Sequence, residues 1–145
     1  MTDPAGMALV VMGRNRRFAL LEHLEECAIH VLAVCDCKEA RRALANRLPV
    51  TVVITDVALP DGDWRTVVDL VLHSDQDAEV IVCTRVADAT LWSDALDRGV
   101  RDLLIEPFER EEVRRIVERA ASRGHMRSLA RDLPDYLKSP GGCAA

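Results

Sequence analysis

Five short runs rich in β-branched and aliphatic residues recur along the chain, each followed by a stretch with helical spacing. Runs that are apolar throughout, rather than alternating, suit strands of a parallel sheet covered on both faces. The first run is residues 8–12; after Gly13-Arg14-Asn15, the residues Phe18, Leu21, Leu24 and Ala28 mark one face of a helix. The second, 29–34, leads past Asp36 into an alanine- and arginine-rich helix over 38–46, which Leu48-Pro49 ends. Residues 50–56 are predicted as the central strand, apolar until they close on the carboxylate of Asp56. Pro60-Asp61-Gly62-Asp63 reads as a turn, and Asp63 is placed to accept free backbone N–H groups as the N-cap of a helix over 64–73. The fourth strand, 78–84, ends on the hydroxyl of Thr84. A helix over about 88–98 is stopped by Gly99, which suits a left-handed C-cap. The fifth strand, 100–105, is broken by Glu106-Pro107; Phe108, Val113, Ile116, Val117 and Ala120 then describe a last amphipathic helix, with Glu early and Arg late as the helix dipole favours.

From Ser122 the pattern weakens. Residues 1–121 are therefore expected to form one α/β domain, and 122–145 a tail. In that tail Leu129, Leu133, Tyr136 and Leu137 can dock a short helix before the flexible end at Ser139-Pro140-Gly141-Gly142. A length of 145 residues suits a single core, and on this reading no room is left for a separate output domain. Hydrophobic residues at 49% and charged ones at 30% give the balance of a globular chain. The formal charge of -5 argues against nucleic acid as a partner, because phosphate binding wants clustered Lys and Arg. No apolar stretch approaches the ~20 residues that cross a bilayer, and the N-terminus lacks a secretory pattern, so no membrane association is expected and a cytoplasmic location is.

In an open parallel sheet the polar site lies at the carboxyl ends of the strands. Those ends here carry Asp56, Thr84, Glu106 and the turn Met12-Gly13-Arg14. The five cysteines lack the paired spacing of a structural zinc site, and the four histidines are scattered. No nucleophile and base pair or glycine-rich phosphate loop stands out, so an enzyme with its own substrate is not expected.

Over residues 7–121 the chain resembles the receiver domain of two-component response regulators. The segment Asp56-Val57-Ala58-Leu59-Pro60-Asp61-Gly62-Asp63 is similar to the phosphoacceptor loop of that family. Thr84 falls where the family has a Ser or Thr, and Leu103-Leu104-Ile105-Glu106-Pro107-Phe108 resembles the segment that normally reads Lys-Pro-Phe. The resemblance implies a flavodoxin-like, doubly wound, five-stranded parallel sheet of order 2-1-3-4-5, with Asp56 at the position that takes a phosphoryl group from a histidine kinase. It also exposes departures. The acidic pair that holds Mg²⁺ in the family is replaced by Met12 and Gly13, followed by Arg14. The phosphoryl-contacting Lys is replaced by Glu106, the switch aromatic by Leu103 and a glycine opening the third helix by Trp64.

Phosphoryl transfer rests on positioning and charge neutralisation. Loss of one electrostatic stabiliser costs ~10² to 10³ in rate, and here two cations are gone. The reading that follows is a receiver without phosphoryl switching, with no cofactor, serving as a protein-interaction module. In it Asp56 is a structural carboxylate, bonded to nearby backbone N–H groups or paired with Arg14 or Arg85, whose guanidinium fills the place of the lost cations. Two other roles for Asp56 stay open: phosphoacceptor in a working regulator that binds Mg²⁺, or ligand of a metal shared with Glu106 or Asp61. Thr84 and Leu103 hold the switch positions. Trp92, amid Leu91, Ala95 and Leu96, is expected to be core or partly buried. If exposed, it marks a docking surface on the fourth helix, fifth strand and fifth helix, where a histidine kinase, another signalling protein or a second copy would bind.

Overall fold

The computed structural model describes residues 6–27, 29–46, 49–86 and 88–131, apart from the side chains of 127, 128 and 131. Five strands, β1 (Met7–Val11), β2 (His30–Val34), β3 (Val50–Asp56), β4 (Glu79–Thr84) and β5 (Asp102–Ile105), form one parallel sheet in the order β2-β1-β3-β4-β5. The helices α1 (Arg14–Leu24), α2 (Cys37–Ala45), α3 (Trp64–Leu72), α4 (Ala89–Asp97) and α5 (Arg110–Arg131) alternate with them. This is the expected flavodoxin-like topology. A small antiparallel hairpin, Ala58–Leu59 with Gly62–Asp63, makes the turn after β3.

The strands divide their side chains between two cores. Leu9, Val11, Val53 and Val82 point to one face, where they meet Ala40 and Leu44 of α2, Trp64, Val67 and Val71 of α3 and Ala95 of α4. Val10, Met12, Val52, Ile54 and Ile81 point to the other, against Leu20 and Leu24 of α1 and Val113, Ile116, Val117 and Ala120 of α5. Every residue of β3 and β4 is buried, which is why both read as largely apolar runs rather than as alternating ones.

The local signals act as their chemistry dictates. Asp63 N-caps α3, its carboxylate accepting from the amides of Arg65 and Thr66 while Thr66 completes a capping box. Gly99 adopts φ +90° just after α4. Trp64, in place of a glycine, is fully buried in the core, with the guanidinium of Arg65 4.7 Å from its ring centroid.

The last helix departs from expectation. It runs without a break from Arg110 through Ser122 and Gly124 to Arg131, and residues 132–145, including the rest of the expected docked helix, lie outside the described residues. Gly124 is a packing residue: a Cβ built there would lie 2.2 Å from the carbonyl oxygen of Thr51. Absence of a side chain lets α5 lie directly on the backbone of β3. A second anchor was not anticipated. Glu79, at the start of β4, is buried, and its Oε1 accepts from Nε of Arg101 at 2.7 Å and from Nε of Arg123 of α5 at 2.9 Å.

Candidate functional site

At the carboxyl edge of the sheet, β3 delivers Asp56 and the end of β5 delivers Glu106, whose amide bonds the Thr84 carbonyl at 2.9 Å. Between the two carboxylates sits Arg16, the third residue of α1. Its Nε donates to Asp56 Oδ2 and its Nη2 to Asp56 Oδ1, both at 2.9 Å, a bidentate fork. Its Nη1 donates to Glu106 Oε2. Asp56 Oδ1 also accepts from the amide of Val57 at 2.8 Å. Asp56 is buried, whereas Arg16 and Glu106 are half-buried, so solvent screens these bonds only in part. The hydrogen bond to Asp56 pushes the Arg16 pKa above its already high value, and its charge is permanent.

This corrects the expected cation. Arg14 is exposed and does not reach Asp56; Arg16, two residues on, does. Arg85 approaches Glu106 instead, Nε to Oε2 at 3.4 Å, from a largely exposed position. A usable hint lay in the sequence. Arg14, Arg16 and Arg17 crowd the first turn of α1, which carries no acidic residue and no side-chain cap. Cations are disfavoured at that end of a helix, so their presence signals compensating carboxylates nearby.

Thr84 keeps its hydroxyl local, donating to the carbonyl of Val86 at 3.1 Å and accepting from its amide at 3.2 Å. Leu103 packs, half-buried, against the α2–α4 core. Met12 is fully buried beneath α1, and Gly13 has open space where a Cβ would stand. Trp92 is 39% exposed, more open than expected, and Leu96 of α4 and Ile105 of β5 are exposed as well.

Asp61 faces away from this cluster and serves α2. It accepts from the amides of Cys37 at 2.8 Å and Lys38 at 3.1 Å. The Cys37 N–H holds the Asp61 carboxyl below its ordinary range, whereas burial and the same carboxylate push the Cys37 thiol up to about 12. The donor set for Mg²⁺ therefore does not fit. Of the carboxylates a metal would need, Asp56 and Glu106 are already bound by a guanidinium and Asp61 caps a helix. Among the described residues no group of three or more His, Cys, Asp or Glu is arranged to hold a metal.

The response regulator receiver domain family matches residues 14–118. Among curated relatives, the chemotaxis protein CheY of Listeria monocytogenes is 27% identical over 70 residues, covering 48% of this chain and 59% of its own. The chain thus spans about three-fifths of that relative's length. Protein CcdB of Bacillus subtilis is 26% identical over 103 residues, covering 71% of this chain and 86% of its own. Among solved structures, the signal receiver domain of an HD domain-containing protein from Pseudomonas fluorescens superposes with a TM-score of 0.76 at 22% identity, covering 92% of this chain and 96% of that one. The receiver domain of a sensor histidine kinase from Pseudomonas aeruginosa, which holds a magnesium ion in its cleft, gives a TM-score of 0.69 at 23% identity over 81% of this chain and 98% of that one. Fold and family agree. The chain belongs to the response regulator receiver domains, the signalling modules of two-component systems. Among the described residues no helix is long and apolar enough to cross a membrane.

Proposed function

We propose that this receiver domain works in the cytoplasm as a protein-interaction module held in one state by an internal ion-pair latch, without a phosphoryl signal. The observation that carries this reading is the fork of Arg16 on both carboxylate oxygens of Asp56, closed by its third contact to Glu106. An aspartate that attacks phosphorus needs an oxygen free to do so and positive charge around the group it receives. Here both oxygens are committed, and Glu106 sets a negative charge where the incoming anion would lie. One like charge at ~4 Å is worth about 4 kcal/mol of repulsion at an effective dielectric of 20. No cofactor is needed, and the domain has no substrate of its own to turn over. Its partner is a histidine kinase or another signalling protein rather than nucleic acid, or a second copy bound through α4, β5 and α5. Exposure of Trp92, Leu96 and Ile105 supports that side.

The competing reading is a working regulator phosphorylated on Asp56 with Mg²⁺, and the retention of Asp56 at the end of β3 favours it. Incubation with Mg²⁺ and acetyl phosphate, followed by intact mass spectrometry, separates the two. The latched domain should show no alkali-labile mass gain; a gain mapped to Asp56 would overturn the proposal.

A further inference from the structure

Reading the domain as an interaction module raises the question of which chemistry it engages, and α5 carries an unassigned surface. At 1.5 Å per residue its 22 residues reach about 33 Å. Gly124 already lies on Thr51, near the start of β3, so the last turns continue beyond the point where the helix meets that strand. From Arg114 to Arg131 the sequence places six arginines against one glutamate, Glu118. The whole chain has 19 Lys and Arg against 24 Asp and Glu, which leaves 13 cations against 23 carboxylates elsewhere. The charge of this chain is thus strongly divided, with its cationic end on α5.

The face of α5 opposite its buried side is a single stripe. Helical spacing aligns Arg115, Arg119, Ser122, Met126 and Leu129, all exposed, against the buried Val113, Ile116, Val117, Ala120 and Gly124. Met126 is 62% and Leu129 50% exposed, one turn apart. Guanidinium groups are therefore followed, along the same line, by two uncovered apolar side chains. A helical partner that matches this order must present carboxylates first and apolar residues a turn or two later. A second copy laid stripe to stripe in these registers does not match. Antiparallel pairing of two α5 helices about Ser122 sets Arg115 against Leu129, and parallel pairing sets arginine on arginine.

We propose that this stripe docks an acidic amphipathic helix of a partner protein, its carboxylates on Arg115 and Arg119 and its apolar residues on Met126 and Leu129. The stripe faces outward from α5, which covers the sheet face opposite the one α4 covers, so it does not include Trp92 or Leu96; it rests on the interaction-module reading only for its purpose, not for its chemistry.

The test uses the full chain and a labelled synthetic helix with glutamates on one turn and leucines on the next, titrated by fluorescence anisotropy. Binding should weaken with added salt, should be absent for the same helix with lysines in place of glutamates, and should fall about tenfold or more in Arg115→Glu/Arg119→Glu and again in Leu129→Asp. Circular dichroism melts of the variants confirm that they fold, since these side chains are exposed. Equal binding by the variants would overturn the proposal. So would binding to phosphatidylglycerol vesicles with none to the acidic helix, or concentration-dependent dimerisation abolished by the same substitutions. Because the titration contains no phosphoryl donor, its outcome is independent of whether Asp56 can be phosphorylated, and failure of one reading is distinguishable from failure of the other.

Discussion

Arg16 matters most through what its removal would leave behind. Without it, Asp56 and Glu106 retain a share of burial but lose their shared cation, and an uncompensated carboxylate costs more than an ion pair gains. Arg16→Ala should therefore lower stability by roughly 1–3 kcal/mol in urea denaturation at neutral pH, the low end reflecting partial solvation. Arg16→Lys should recover only part of this, because an ammonium group cannot form the planar fork. Asp61 gives a pH test. Its carboxyl is held below the ordinary range in the folded chain, so its cap on α2 contributes stability above the unfolded value and loses it as pH falls through the lowered folded one. Carboxyl NMR titration should place Asp61 below a free aspartate, and Asp61→Asn should remove that part of the acid-side loss. The sequence made Asp63 and Gly99 legible because each acts on a backbone two or three residues away. Arg16 was missed because its partners stand 40 and 90 residues along the chain. No local rule could choose it over Arg14.

The elements themselves were readable wherever burial is uniform. The largely apolar runs of β3 and β4, closed by Asp56 and Thr84, mark the site-bearing edge of the sheet in the sequence itself. The end of α5 was not readable, since glycine has two uses and a sequence shows only the residue. A glycine in a stretch of weakening pattern reads as punctuation, whereas Gly124 is the point where a helix touches a strand. The two uses predict opposite outcomes for Gly124→Ala. In a free tail the change would strengthen helix by up to about 1 kcal/mol; against the Thr51 carbonyl it should destabilise the domain by about 1–3 kcal/mol, read as a lower midpoint in thermal melts. The buried Glu79, with Arg101 and Arg123, adds a polar clamp at the same end of the sheet. A glutamate opening an otherwise apolar strand was its available signal, because a buried carboxylate demands a cation.

For the whole molecule, the latch is a substitute that can be undone. Gly13→Asp meets open space, Arg16→Ala frees Asp56, and Glu106→Lys returns a cation to the position the family resemblance gives it. The triple variant should gain Mg²⁺-dependent thermal stabilisation and uptake from acetyl phosphate that the parent lacks; no response to Mg²⁺ would show that more than these three positions separates the chain from a working regulator. The latch also bears on time. It joins the start of α1, the end of β3 and the turn after β5, segments that meet only when the sheet is nearly complete. Contacts of such reach are absent from a nucleus built around neighbouring strands and helices. Loosening them should quicken escape from the native basin while barely slowing entry, so Arg16→Ala should raise the unfolding arm of a chevron in parallel and leave the refolding arm almost where it was.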